Sequence, residues 1–164
     1  MQIENRSYKF KVENGPIIDV TSNVITKASN YLQFSSIASE AGGYLVGFEN
    51  SKTSNITIND ISLPSDNDIR TRIFCKIKDL AHKFFLQEQK RKENYYMGNW
   101  HTHPQKSPTP SSIDINEWKN VITKDRTGSD YAFFIIFGTE EFKAWYGNYN
   151  TKQICELKEY IVKK

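Results

Sequence analysis

His101 and His103 are separated only by Thr102, and Pro104 follows directly. On an extended segment, residues i and i+2 point to the same side, so the two imidazoles face one point in space. Pro104 cannot donate to a strand ladder and turns the chain away. Ser111 comes eight residues after His103, and Asp114 three residues later. If Ser111 caps a helix, Asp114 sits one turn in and projects from the same end. Two neutral nitrogens and one carboxylate then converge. Three protein ligands with an open fourth position for water is the arrangement of catalytic zinc, whereas structural sites close with four ligands and favour cysteine. Other divalent metals fit the same donors. Amide cleavage at such a site needs a base that takes a proton from water and returns it to the leaving amine. Glu40, just before Ala41-Gly42-Gly43 and an apolar run, is the candidate.

Each part of this pattern has a plainer explanation. Ser111-Ser112-Ile113-Asp114 has the form of a capping box and needs no metal. A His-x-His pair by itself is common on surfaces. Gly42-Gly43 by itself means a turn or a close backbone approach. Only the joint pattern is specific.

The elements that must position these residues follow from periodicity. Tyr8, Phe10 and Val12 alternate with polar residues as in a strand, Asn14-Gly15 marks a turn, and Ile17 to Val20 pairs back. Thr21 or Ser22 caps a helix with Val24, Ile25, Ala28, Tyr31 and Leu32 on one stripe. Tyr44 to Phe48 reads as a buried strand, with the next at Ile56 to Ile61 and a loop from Leu63 to Asp68. A long helix is expected from about Thr71 to Gln89, with one buried face made of Ile73, Phe74, Ile77, Leu80, Ala81, Phe84 and Phe85. A strand from Tyr95 to Trp100 feeds into His101. A short helix runs from Ser111 through Trp118 and Val121. Tyr131 to Phe137 is a central strand, and Phe142 to Tyr146 and Gln153 to Tyr160 are further strands. This mixed order predicts an α/β (α+β) sandwich around a mixed, largely antiparallel sheet flanked by helices.

The chain has 164 residues, which suggests one domain spanning 1–164 with a core that needs no staples. A 38% hydrophobic and 13% aromatic content excludes a disordered chain. The net charge is only +3. The one dense basic stretch, Lys90-Arg91-Lys92, reads as the solvated end of a helix, and no broad stripe suggests nucleic acid. Cys75 and Cys155 form no disulfide framework and read as small core residues. The start, Met1 to Asn5, lacks the basic and apolar regions of a signal peptide. The longest apolar run, Tyr131 to Phe137, is too short for a membrane span. A cytoplasmic protein is expected.

Glu40, then His101-x-His103, then Ser111-x-x-Asp114 resembles the JAMM signature of the JAB/MPN metalloprotease family at every defining position. Glu40-Ala41-Gly42-Gly43-Tyr44-Leu45-Val46-Gly47 is similar to the family's E-x-G-G-x-L-x-G segment. The resemblance spans about Glu40 to Phe137. It implies a cytidine-deaminase-like sandwich and one Zn2+ ion held by His101, His103 and Asp114. It also implies Glu40 as general base and then acid, with Ser111 stabilising the oxyanion. A neutral hydroxyl suits that role, and losing one such donor typically costs about 10²–10³ in rate. No catalytic position is substituted, which speaks against the scaffold branch of the superfamily.

The stretches Tyr96 to Pro104, Ser107 to Ser111, Pro64-x-Asp66 and Thr71-Arg72-x-Phe74, followed by His82, resemble bacterial stand-alone JAB proteases of CBASS antiphage operons. Those operons also encode a cGAS-like nucleotidyltransferase (CD-NTase) and a fusion of ubiquitin-activating (E1) and conjugating (E2) enzymes. The implied reaction cuts the bond joining a CD-NTase or ubiquitin-like C-terminus to a target amine. The alternatives are a deconjugase of another ubiquitin-like operon, a RadC-like protein, or a binding module without turnover. About 39 residues precede Glu40, too few for the helical DNA-binding region usual in RadC-like chains. Asp66, Asp68 and Arg72 are candidates for a substrate flap, or else turn and capping residues. Trp100 either walls the cleft or is core with one edge at the site. His82 reads as a partly exposed helix histidine, and Trp118 and Trp145 as core.

Overall fold

The computed structural model describes residues 3–161; Met1-Gln2 of the N-terminal run read above lies outside them. The elements are, in order, β1 (Tyr8–Lys11), β2 (Ile17–Val20), α1 (Ser22–Ser29), β3 (Gly42–Glu49), β4 (Ile56–Ile61), β5 (Ile69–Arg70), β6 (Cys75–Lys76), α2 (Leu80–Arg91), β7 (Tyr95–Thr102), α3 (Ser112–Lys124), β8 (Tyr131–Phe137), β9 (Phe142–Asn148), β10 (Ile154–Glu156) and β11 (Lys158–Glu159). Asn14 adopts φ 55° in the turn between β1 and β2, a conformation asparagine tolerates better than most residues.

The main sheet has nine strands in the order β10-β9-β8-β7-β3-β4-β2-β1-β11. It is mixed: β2 runs parallel to β4 and β7 parallel to β8, while the remaining neighbours are antiparallel. The segment expected as one strand from Gln153 to Tyr160 is two. β10 joins β9 at one edge, and β11 joins β1 at the other. Leu157 lies between them, and its N–H donates to Ala144.

Two apolar clusters flank the sheet, and β8 supplies both. Phe133, Ile135 and Phe137 join the cluster on the α1 side, while Ala132, Phe134 and Ile136 join the α3 cluster. A strand covered on both faces must be apolar at every position, which accounts for the unbroken run from Tyr131. On the α3 side Trp118 stacks on Phe134 at 4.8 Å and packs against Trp145 at 5.1 Å. Truncating a buried Trp to Ala typically costs about 3–5 kcal/mol. Gly98 interrupts β7 with φ 148°, and a Cβ there would lie 1.7 Å from the Phe133 carbonyl oxygen. Only glycine permits this approach of β7 to β8.

The expected helix from Thr71 to Gln89 is corrected. Residues Ile69 to Lys76 form the β5–β6 hairpin, closed by the Thr71 N–H donating to the Phe74 carbonyl. α2 starts only after Asp79, whose carboxylate caps the Ala81 N–H. The two buried residues of α2 are polar, His82 and Gln89, while Leu80 and Phe84 of the expected stripe are exposed, as is Ile73 on the hairpin. Three- and four-residue spacing reports a stripe. It does not say which way the stripe faces, nor does it exclude a hairpin whose tip has the same spacing.

Candidate metal centre and cleft

β3 and β7 pair antiparallel with Gly42 opposite His101. The pairing carries on past both strand ends: Thr102 N donates to Ala41 O at 2.9 Å, and His103 N donates to Phe137 O on β8 at 3.0 Å. Glu40 therefore comes to rest across from His103. Thr102 points away from the two histidines into the interior. Its hydroxyl accepts from the Ala41 N–H at 2.9 Å and donates to Gln33 Oε1 at 2.8 Å. Gln33 in turn donates to the Ala38 and Arg72 carbonyls. Gly43 must be glycine for this platform to form, since a Cβ would lie 2.1 Å from the Ser62 carbonyl oxygen.

α3 brings the carboxylate. Ser111 accepts from the Asp114 N–H at 3.1 Å, and Asp114 Oδ2 accepts from the Ser111 N–H at 2.8 Å. The capping box is thus present, and the same carboxylate faces the histidines. Asp114 Oδ1 is 3.2 Å from His101 Nε2, Asp114 Oδ2 is 3.2 Å from His103 Nε2, and the two Nε2 atoms are 3.2 Å apart. With Glu40 included, one donor atom from each of the four residues lies within 4.8 Å of the others. Ligands about 2.0–2.1 Å from a tetrahedral ion stand about 3.3 Å from one another, so these donors are spaced as coordination requires. His103 Nδ1 lies 3.2 Å from Gln105 Oε1, which also accepts from the Thr109 N–H at 2.9 Å. The Gln105 oxygen keeps the proton on Nδ1 and leaves Nε2 bare toward the site.

Electrostatics agree with this geometry. Burial alone would raise Asp114, but the two histidines beside it and the Ser111 N–H hold it well below the usual carboxylate range. Burial lowers His101 despite Asp114 beside it. Burial would lower His103 too, but Asp114 outweighs it and raises the imidazole above its ordinary value. Glu40 is pushed up to about 8, first by burial and then by Asp114 and Glu117, with His103 pulling the other way. A buried carboxyl that resists ionisation marks a site short of positive charge, and a divalent cation would supply it.

A groove of about 330 Å³ runs beside the cluster, lined by Glu40, Arg72, Ile73, His103, Thr109 and Ser111 among others. The hairpin forms one wall. Arg70 Nε donates to the Glu40 carbonyl at 2.9 Å, and the Glu40 N–H donates to the Thr71 carbonyl at 2.7 Å. Among the described residues the Ser111 hydroxyl accepts only within the cap, so its own proton is available to the groove.

Of the expected substrate residues, Arg72 lines the groove. Trp100 is buried, donates from Nε1 to the Ser62 carbonyl at 3.0 Å, and has one edge on a small cavity shared with Glu40 and His101. Asp66 is exposed in the loop before β5 and does not line the groove. Cys75 is corrected from core to the flap: it sits on β6 and lines the small cavity with Glu40 and Glu117, and burial pushes its thiol up to about 12. His82 is corrected from partly exposed to buried, at 2% exposure.

Sequence reasoning missed Gln33, Arg70, Gln105 and Glu117. Glu117 lies three residues after Asp114, so helical spacing could have found it. The contact of Arg70 with Glu40 spans 30 residues, and those of Gln33 with Arg72 and Thr102 span 39 and 69, so they leave no local signal.

Residues 31–147 match the family described as prokaryotic homologs of the JAB domain. The chain is 28% identical over 153 residues to the CD-NTase/cGAS isopeptidase of Vibrio cholerae serotype O1, covering 92% of this chain and 93% of that one. It is 29% identical over 146 residues to the CD-NTase/cGAS isopeptidase of Escherichia coli strain TW11681, covering 87% and 88%. In fold it is similar to the solution structure of a Desulfitobacterium hafniense protein, with a TM-score of 0.54 and 16% identity over 86% of this chain and 88% of that one. Among the described residues no helix is long and apolar enough to cross a membrane. A family match across most of the chain, on the fold and donor cluster described above, means that this protein belongs to the prokaryotic JAB-domain family.

Proposed function

We propose that this protein is a zinc-dependent isopeptidase that releases the C-terminal tail of a CD-NTase or ubiquitin-like protein from a target amine. The observation that carries this reading is the convergence of His101, His103 and Asp114 at 3.2 Å spacings, with Glu40 beside them and a groove alongside. Relatives named as CD-NTase/cGAS isopeptidases over nearly the whole chain support the choice of substrate.

When bound by the two imidazoles and Asp114, the ion supplies Lewis acidity that polarises the scissile carbonyl and brings the pKa of a water near 7. Glu40 takes a proton from the attacking water and delivers it to the departing amine nitrogen. The Ser111 hydroxyl donates to the carbonyl oxygen as negative charge develops there. Asp114 and Gln105 fix the orientation and tautomer of the imidazoles. The flap wall, with Arg72 and Ile73, holds an extended tail along the groove. In a CBASS setting this activity would reverse conjugation carried out by an E1–E2 fusion in the cytoplasm, within a single domain spanning 1–164.

The test is cleavage of a CD-NTase tail joined to a reporter amine, by wild type and Glu40→Ala, with zinc measured on both. Cleavage by wild type alone, with zinc retained in both, is the expected result. No cleavage of CD-NTase or ubiquitin-like tails by the zinc-loaded wild type would overturn the proposal.

A further inference from the structure

The flap wall consists of two strands of two residues each. A hairpin that small is not stable alone, and Ile69, Ile73 and Phe74 on it are exposed. Hydrogen bonds to Glu40 and Gln33 tie down Arg70, Thr71 and Arg72, but they leave the base of the loop to be held separately. A buried relay at that base holds it.

Asp68 Oδ1 accepts from the Lys78 and Asp79 N–H groups at 2.9 Å each. Its Oδ2 accepts from the Ser65 N–H at 3.0 Å and lies 2.6 Å from His82 Nε2. One carboxylate therefore joins the two ends of the loop that carries the flap, and its four acceptor positions are filled. His82 Nδ1 is 2.7 Å from Ser62 Oγ, which already accepts from the Tyr44 N–H at 2.8 Å. The Asp68 carboxylate only accepts, so the ring proton sits on Nε2, and in the neutral ring Nδ1 accepts from the Ser62 hydroxyl. The Ser62 carbonyl accepts from Trp100 Nε1, and Trp100 directly precedes His101. The relay thus runs from the strand carrying the histidines to the base of the flap.

These are the residue types of a hydrolytic triad, but they are placed for another task. The side chains of His82 and Asp68 are 2% and 0% exposed, Ser62 is 3% exposed, and the hydroxyl already both donates and accepts. No substrate carbonyl can reach it.

We infer that Ser62, His82 and Asp68 form a latch that holds the β5–β6 flap in its tail-binding position, which makes Asp68 and His82 positioning residues for the cleft. The role in cleavage rests on the isopeptidase reading; the latch itself does not. With the latch intact the flap is ordered before the tail arrives. Without it, apparent affinity falls by the fraction of molecules whose flap is in place. Loss of one buried charge-assisted hydrogen bond reduces that fraction by about tenfold or more. Once the tail has bound, the same cleft is assembled, so turnover at saturation stays close to that of wild type.

The experiment compares wild type, Asp68→Asn and His82→Gln, all loaded with zinc, by hydrogen exchange followed by steady-state cleavage. Exchange at Ile69 to Lys76 should speed up about tenfold or more in both variants, while β3 and β7 amides and zinc content remain unchanged. KM for the tail conjugate should rise about tenfold, with kcat within about twofold. Unchanged flap exchange would overturn the latch. So would a uniform rise across the sheet, or failure of both variants to fold, since either makes the relay a general prop. Faster flap exchange with unchanged KM, or a fall in kcat alone, would overturn its positioning role. If wild type cleaves nothing, the isopeptidase reading fails and exchange still judges the latch.

Discussion

Glu40→Gln should stabilise the metal-free protein while removing its activity. Glu40 is 4% exposed, and burial raises its carboxyl from an ordinary 4.5 to about 8. A raised carboxyl is favoured in its protonated form by the folded state. Folding therefore incurs no penalty below about pH 4.5, a growing one as pH rises, and a constant one above about 8. At pH 7 the interval above 4.5, at about 1.36 kcal/mol per pH unit, converts to ~3 kcal/mol. Relaxation and water entry reduce this to about 1–3 kcal/mol. Glutamine keeps the shape and cannot ionise. At about 2–4 °C per kcal/mol for a chain of this size, Tm in chelator should rise by about 2–12 °C at pH 7. The gain should shrink toward pH 4.5 and narrow when zinc is added. Removal of the general base should lower kcat by about 10²–10⁴. The assay is thermal unfolding of both proteins from pH 4.5 to 8.5, with and without zinc. A variant less stable than wild type at pH 7, or a difference that does not change with pH, would refute the argument that Glu40 is held at an energetic cost for function.

Other outcomes follow from the same geometry. Ser111→Ala should lose about 1 kcal/mol of stability with the cap and about 10²–10³ in kcat with the hydroxyl. Ser111→Gly should recover most of the stability and none of the rate, and equal losses in both variants would reduce Ser111 to a cap. Chelation should abolish cleavage, and one equivalent of zinc should restore it. Zinc should raise Tm in wild type but not in His101→Gln, as titration calorimetry and thermal melts would show. Asp68 is raised by burial but brought down to about 2 by the Asp79 amide, His82 and the Ser65 and Lys78 amides. Because that lies below its ordinary 3.8, its stabilisation is complete above about pH 4 and is lost as pH falls through about 2. The effect is about 2 kcal/mol for this buried carboxylate, and acid unfolding of wild type against Asp68→Asn measures it.

The donor cluster was legible because its logic is local. His-x-His on a strand and Ser-x-x-Asp at a helix start fix directions within a few residues, and these are periodicities that a chain writes openly. The strands β1 to β4 and β7 to β9 were legible for the same reason, as was α3. The continuous apolar run of β8 announced a strand covered on both faces.

The region between Pro64 and Leu80 was not legible, and the physical reason is non-local. Ile73, Leu80 and Phe84 have helical spacing, but their side chains are largely exposed. Asp68, His82 and Ser62 satisfy one another across the fold, and that closure is what lets all three side chains lie buried. The same holds for Glu40. Its type and place before a strand could be read, but its elevated pKa could not. That value depends on how deeply the flap, Asp114 and Glu117 enclose it. By itself the sequence determined which atoms can bind a metal, and that they face one way. Only the tertiary structure decided how far those atoms are from water, which wall encloses them and what holds that wall in place. Burial and long-range hydrogen bonds are properties of the packed chain, not of any segment.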